Sequence, residues 1–229
     1  MAIQTPPPQA PKQSNKAGWG CLGCGCVVVL VVLLLIAGLI GGTIYMIFKE
    51  AYVVSSATAE TIAPFTAGDD VYASAQKKVA AFNQDVSAGK SSTLTLTSDE
   101  VNALLDHGVD LKKFDAQFLI TLSGDTGRVQ GSVPSNKVPF LNWDVKDRYY
   151  NLDATTGLSF NADTKEVELQ LKKLQLGDII VPANSMESLQ VSLSQQLNQA
   201  LRKNAAVANV LDNAKTVSIK DGQFIVETK

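Results

Sequence analysis

The chain has 229 residues, with 20 Lys plus Arg against 22 Asp plus Glu and a formal net charge of -2. Residues 60–229 hold 17 basic and 21 acidic side chains, which excludes the basic footprint of a nucleic-acid binder. The three cysteines, Cys21, Cys24 and Cys26, all precede residue 27, so no disulfide staples the rest of the chain and its stability must come from core burial.

Residues 1–20 contain three successive prolines among Gln, Ser and Asn and read as a disordered, Pro-rich cytoplasmic tail. Trp19 stands where an interfacial aromatic anchor is expected. The run Val27–Phe48 has 22 uncharged, mostly apolar residues and no polar face. As a helix it spans about 33 Å, enough for a hydrocarbon core of about 30 Å, so 21–48 is expected to be a transmembrane anchor. A cleavable signal peptide is the rival, but its apolar core would be about 7–15 residues long. The small residues Ala57-Thr58-Ala59 also lie well beyond the end of the run. A retained anchor is therefore favoured. Lys12 and Lys16 precede the run, and only Lys49, beside Glu50, closely follows it. This bias places the N-terminus inside and the domain outside, in the periplasm if the cell is Gram-negative. Gly38 and Gly42 form a small-xxx-small pair that permits a homodimer through the membrane helix.

Cys21, Cys24 and Cys26 offer three thiolates where a structural zinc site needs four ligands, and the single histidine, His107, is distant. They precede the apolar run, whereas a lipoprotein cysteine would follow it. Palmitoylation is an open reading; the plainer one is small residues leading into the membrane, with free thiols on the reducing side.

Residues 49–67 read as a linker, and 68–229 as one extracytoplasmic domain. Asp69 or Asp70 is the expected N-cap of a long helix, with an apolar stripe at Val71, Ala75, Val79, Phe82 and Val86. Leu94 and Leu96 alternate with threonines as a short strand. Thr97 and Glu100 form a capping box that opens a short helix with Val101, Leu104 and Leu105 on its apolar face and Gly108 at its end. A hairpin turns at 124–127, and a second at 161–164. In the strand after the second turn, apolar parity moves by one residue at Lys172-Lys173, the pattern of a bulge. Met186, Leu189, Leu193, Leu197 and Leu201 mark a second long amphipathic helix after Pro182, and a brief helical turn is expected around 207–211. A last hairpin turns at Asp221-Gly222. The predicted class is α+β: a curved antiparallel sheet packed on two long amphipathic helices and one short one, preceded by a single transmembrane helix.

Leu96 to Leu105, with its Thr-x-x-Glu-Val-Asn-Ala-Leu-Leu order, resembles the opening of the YpmS-like extracytoplasmic proteins. Leu174 to Pro182, then an amphipathic helix and a final strand pair, is similar to their later half. The resemblance spans roughly residues 90–229. It implies one N-terminal anchor and one β-rich domain, and by analogy with loosely similar envelope domains a role with lipids. It implies no catalytic residues.

Ser74-Ala-Gln-Lys77 matches the Ser-x-x-Lys of penicillin-interacting enzymes, but the accompanying motifs depart: Glu100 follows Ser98-Asp99, and Val217 follows Lys215-Thr216. Asp106, His107 and Asp110 suggest metal ligation, yet they sit at a helix end, where polar caps and a His beside the dipole are ordinary. No catalytic site, metal or cofactor is therefore expected. Val138 to Tyr150 concentrates Phe140, Trp143, Tyr149 and Tyr150, which reads either as an interface or lipid-facing rim or as a cap on the core. The leading expectation is a noncatalytic anchored domain binding a lipid or other hydrophobic envelope ligand. Its groove would be lined by Phe118, Ile120, Leu169, Leu171, Leu193 and Leu197, which equally suit a dry core. The alternative is an envelope scaffold acting through protein–protein contacts; an enzyme is the third reading.

Overall fold

The computed structural model describes residues 55–66, 68–108, 111, 115–137 and 147–229. The expected tail and anchor, including Gly38, Gly42 and the three cysteines, lie outside the described residues, and no described helix is long and apolar enough to cross a membrane.

The elements run α1 (Asp69–Ser87), β1 (Thr93–Leu96), α2 (Ser98–Gly108), β2 (Gln117–Ser123), β3 (Thr126–Pro134), β4 (Tyr149–Asn161), β5 (Glu166–Leu176), β6 (Ile179–Ile180), α3 (Ala183–Lys203), α4 (Ala205–Asn213), β7 (Ala214–Lys220) and β8 (Gln223–Thr228). The α+β class and the antiparallel pairing stand. Gly68, not an aspartate, is the N-cap of α1, while Asp69 and Asp70 fill its first turn, where carboxylates oppose the positive end of the helix dipole. Where a brief turn was expected, α4 is a full helix whose N-cap, Asn204, accepts from the Ala206 and Val207 amides.

One curved sheet was expected, and two form. Strands β2-β3-β4-β5-β6 make a meander, whereas β1-β8-β7 make a separate three-stranded sheet that packs on it through β7 against β4. The reason lies at the edges of the meander. On β2, the Asn102 side chain brackets Ile120: its Nδ2 donates to Ile120 O (2.7 Å) and its Oδ1 accepts from Ile120 N (2.8 Å). One helical turn earlier, Ser98 Oγ accepts from Leu122 N. On β5, Asn198 brackets Val167 in the same way (2.9 and 2.8 Å), Ser194 Oγ accepts from Leu169 N, and Gln190 Oε1 accepts from Leu171 N.

Four residues along a helix rise about 6 Å, close to the roughly 6.7 Å of two strand residues, so one helix face can serve alternate backbone groups. The side-chain amide stands in for a neighbouring strand's peptide group. With β2 occupied by α2 and β5 by α3 and β6, the last hairpin has no free ladder to join. It pairs with β1 instead and stacks its apolar face, Val217, Ile219, Phe224 and Val226, against the meander.

The parity shift expected in β5 is present. Thr155 pairs with Lys173 and Thr156 with Leu171, so Lys172 is the extra residue, and burial continues on the same face at Leu174 and Leu176. The 221–222 loop has both residues at positive φ, the requirement of a type I′ hairpin turn. Gly222 N donates to Gly124 O (3.0 Å), tying the two sheets together at their turns.

Candidate functional site

The expected groove residues lie in packed core. Leu169, Leu193 and Leu197 are each 1% exposed, and Ile120 and Leu171 are also buried. Phe118 is half-buried and lies across Gly131, where an added Cβ would come within 2.4 Å of its ring. The α3 stripe lies against β5, and both sets of side chains are buried. A small apolar cavity of about 30 Å³ remains between the sheets, bounded by residues including Val101, Leu122, Val129, Ile219 and Phe224. It has room for about one water and no polar partner to hold one.

The aromatic cluster divides. Phe140 and Trp143 fall outside the described residues. Tyr150 enters the core, and burial raises the pKa of its hydroxyl above the usual value. Tyr149, one residue away and on the opposite face, is half-exposed.

Tyr149 borders the polar feature that the sequence did not suggest. Residues 55–66, read as linker, lie against the domain. Ser56 and Tyr149 exchange backbone hydrogen bonds (2.8 and 2.9 Å). The Arg148 guanidinium donates to Ser55 Oγ (2.7 Å) and to the Ser55 carbonyl. Asn151 repeats the amide clasp: its Oδ1 accepts from Glu60 N (3.1 Å) and its Nδ2 donates to Thr58 O (2.9 Å), while Ser132 Oγ donates to the same Oδ1. Ile62 is buried, apart from the main core. This segment is a strap, and its bonds to Tyr149 and Asn151, alternate residues of β4, put it on the polar outer face of the meander. Such a strap has no periodic signal; its partners are 93 and 91 residues away in sequence.

Beside it opens a cleft of about 400 Å³, lined by Ala59, Asp115, Gln117, Ser132, Pro134, Asn136, Lys137 and Tyr149. Its volume falls in the range of small-ligand sites. Its charged pair, Lys137 and Asp115 (3.3 Å), is exposed and therefore weak.

Farther along the same outer face, Asp153 is almost fully buried under two cations. Arg128 grips it with two bonds (2.8 and 3.0 Å) and Lys173 with a third (2.7 Å). The Arg128 bonds, then those of Lys173, outweigh the burial penalty and hold its carboxyl below the usual range.

The enzyme-like residues take structural positions. Ser74 Oγ donates to Glu100 (3.1 Å), and Lys78, not Lys77, forms the ion pair with that carboxylate (2.8 Å). Burial pushes the Glu100 carboxyl up, but Lys78, the Thr97 amide and Ser74 together bring it below its ordinary value. The Thr97–Glu100 box is reciprocal, as expected. His107 stacks on Tyr72, with ring centroids 3.9 Å apart and planes 10° from parallel. Among the described residues, no three His, Cys, Asp or Glu side chains gather as a metal site; Asp110 is outside them.

No family model, no curated protein and no solved structure matches the chain.

Proposed function

We propose that this chain is a noncatalytic, single-pass membrane protein whose domain stands outside the cytoplasm and acts as an envelope scaffold through protein–protein contacts. The observation that carries this reading is the strap. An apolar run long enough for a bilayer ends at Phe48, and the chain is clasped to the domain again from Ser55. A domain held so closely to its anchor suits a protein that positions partners at a membrane. The similarity of the 96–105 and 174–182 segments to YpmS-like proteins accords with an anchored extracytoplasmic domain. The packed state of the expected groove favours the scaffold over an internal lipid carrier. A second reading, a hydrophobic or amphipathic ligand held by the domain, rests on the cleft beside the strap, whose size suits one.

Native mass spectrometry of the full chain, extracted in mild detergent, separates the two. A stoichiometric protein partner or a defined self-assembly supports the scaffold. A lipid that stays on the chain after detergent release supports the second reading. A bare monomer contradicts both.

A further inference from the structure

The strap has a geometric consequence. Six residues separate Phe48 from Ser55, and the seven Cα-to-Cα steps between them reach at most about 25 Å even when fully extended. Ser55 and Ser56 are fixed to Arg148 and Tyr149, at the start of β4. The 3-10 turn Ser135–Lys137, which follows β3, lies at the same end, because Pro134 pairs with Tyr149 and Ser135 N donates to Arg148 O. The opposite end of β4, Asn161, is 12 residues along the strand from Tyr149, about 40 Å away.

We infer that the end of the domain carrying Asn136, Lys137, Asp147 and Arg148 is its bilayer-facing surface, within contact range of the lipid headgroups. The inference rests on the anchor reading above and adds to it the face that meets the membrane. Among the described residues at this end, Lys137 and Arg148 are matched in number by Asp115 and Asp147. The tether brings this end to the bilayer, so the occupant is a phospholipid surface. The far turns, at Gly124-Asp125 and 162–165, are held outward, where a partner can reach them.

The test places the full chain, with Cys21, Cys24 and Cys26 changed to Ser, in phosphatidylcholine nanodiscs carrying a headgroup energy acceptor. A donor dye is attached through Asn136→Cys in one sample and Asp163→Cys in another; both positions are exposed turn residues. Energy transfer from position 136 is expected to exceed that from 163 roughly twofold or more, given a separation of about 40 Å along β4. Freeing the strap with Arg148→Ala and Asn151→Ala lengthens the tether and should bring the two efficiencies together. Equal transfer from both positions in the clasped chain, or stronger transfer from 163, overturns the assignment while leaving the anchor intact. A chain that does not enter the nanodiscs overturns the anchor reading and this one with it.

Discussion

The two faces of the five-stranded sheet are covered in opposite ways. The inner face is sealed by apolar side chains: Leu169, Leu174, Leu193, Leu197 and Leu201 are all under 2% exposed. The outer face carries a strap held by amides, a guanidinium and two backbone bonds. Burying a leucine removes a large apolar area from water and contributes of the order of 2 kcal/mol. A net hydrogen bond contributes only about 1 kcal/mol, because water competes for the same groups. The inner face therefore supplies stability, and the outer face supplies placement. A strap held in this way can stay docked in the folded domain and still open locally, at a cost well below that of global unfolding.

Breaking the inner face should have the largest effect. Leu197→Ala opens a cavity where the α3 stripe meets β5 and is expected to lower stability by about 3–5 kcal/mol, read from the urea midpoint of the 55–229 region. Asn198→Ala leaves the Val167 N–H and C=O without their partner and should cost about 2–3 kcal/mol in the same measurement. The Asn198→Asp variant keeps the acceptor but sets a buried carboxylate oxygen against the Val167 and Ser194 carbonyls, so at neutral pH it should cost at least as much as Asn198→Ala. An Asn198→Ala protein as stable as the parent would show that the edge closure contributes nothing.

Asp153 sits between the two regimes, since it is a buried charge on the outer face. Asp153→Asn should destabilise by about 1–2 kcal/mol at neutral pH, because Arg128 and Lys173 are half-exposed and water re-solvates them. Its pKa is lower in the folded chain than in the unfolded one, so acid protonates the unfolded state first and favours unfolding. The parental advantage over Asp153→Asn is therefore complete at neutral pH. It should shrink as pH falls below about 4, the ordinary carboxylate value, through the depressed pKa. Urea midpoints of both proteins across that range check the sign; a parental advantage that grows on acidification would contradict the ion cluster.

The inner face was largely legible in the sequence, because its signals are local. The stripes of α1 and α3, the Thr97–Glu100 box, the Asp221-Gly222 turn and the bulge at Lys172 each occupy a few consecutive residues. The split into two sheets was not legible. It depends on Thr93–Leu96 pairing with Phe224–Glu227, across most of the domain, and on edges already taken by Asn102 and Asn198. A trace of that closure was present as Ser-x-x-x-Asn, at Ser98–Asn102 and again at Ser194–Asn198. Its meaning required knowing which strands were edges. The strap is illegible for the same reason. Ser55 to Glu60 is short, polar and aperiodic, and only the distant Arg148 and Asn151 show that it is docked.

A change confined to the strap carries the central claim. Arg148→Ala with Asn151→Ala removes four hydrogen bonds that water partly replaces and should cost about 1–2 kcal/mol. In hydrogen exchange on the full chain, the Ser56 and Glu60 amides are expected to be protected in the parent and to exchange as open chain in the variant. The Ile120 and Val167 amides, bonded to Asn102 and Asn198, should keep their protection in both. A parent whose Ser56 and Glu60 amides already exchange freely, or a variant in which all four amides lose protection together, would contradict a strap that is docked but energetically separate from the core.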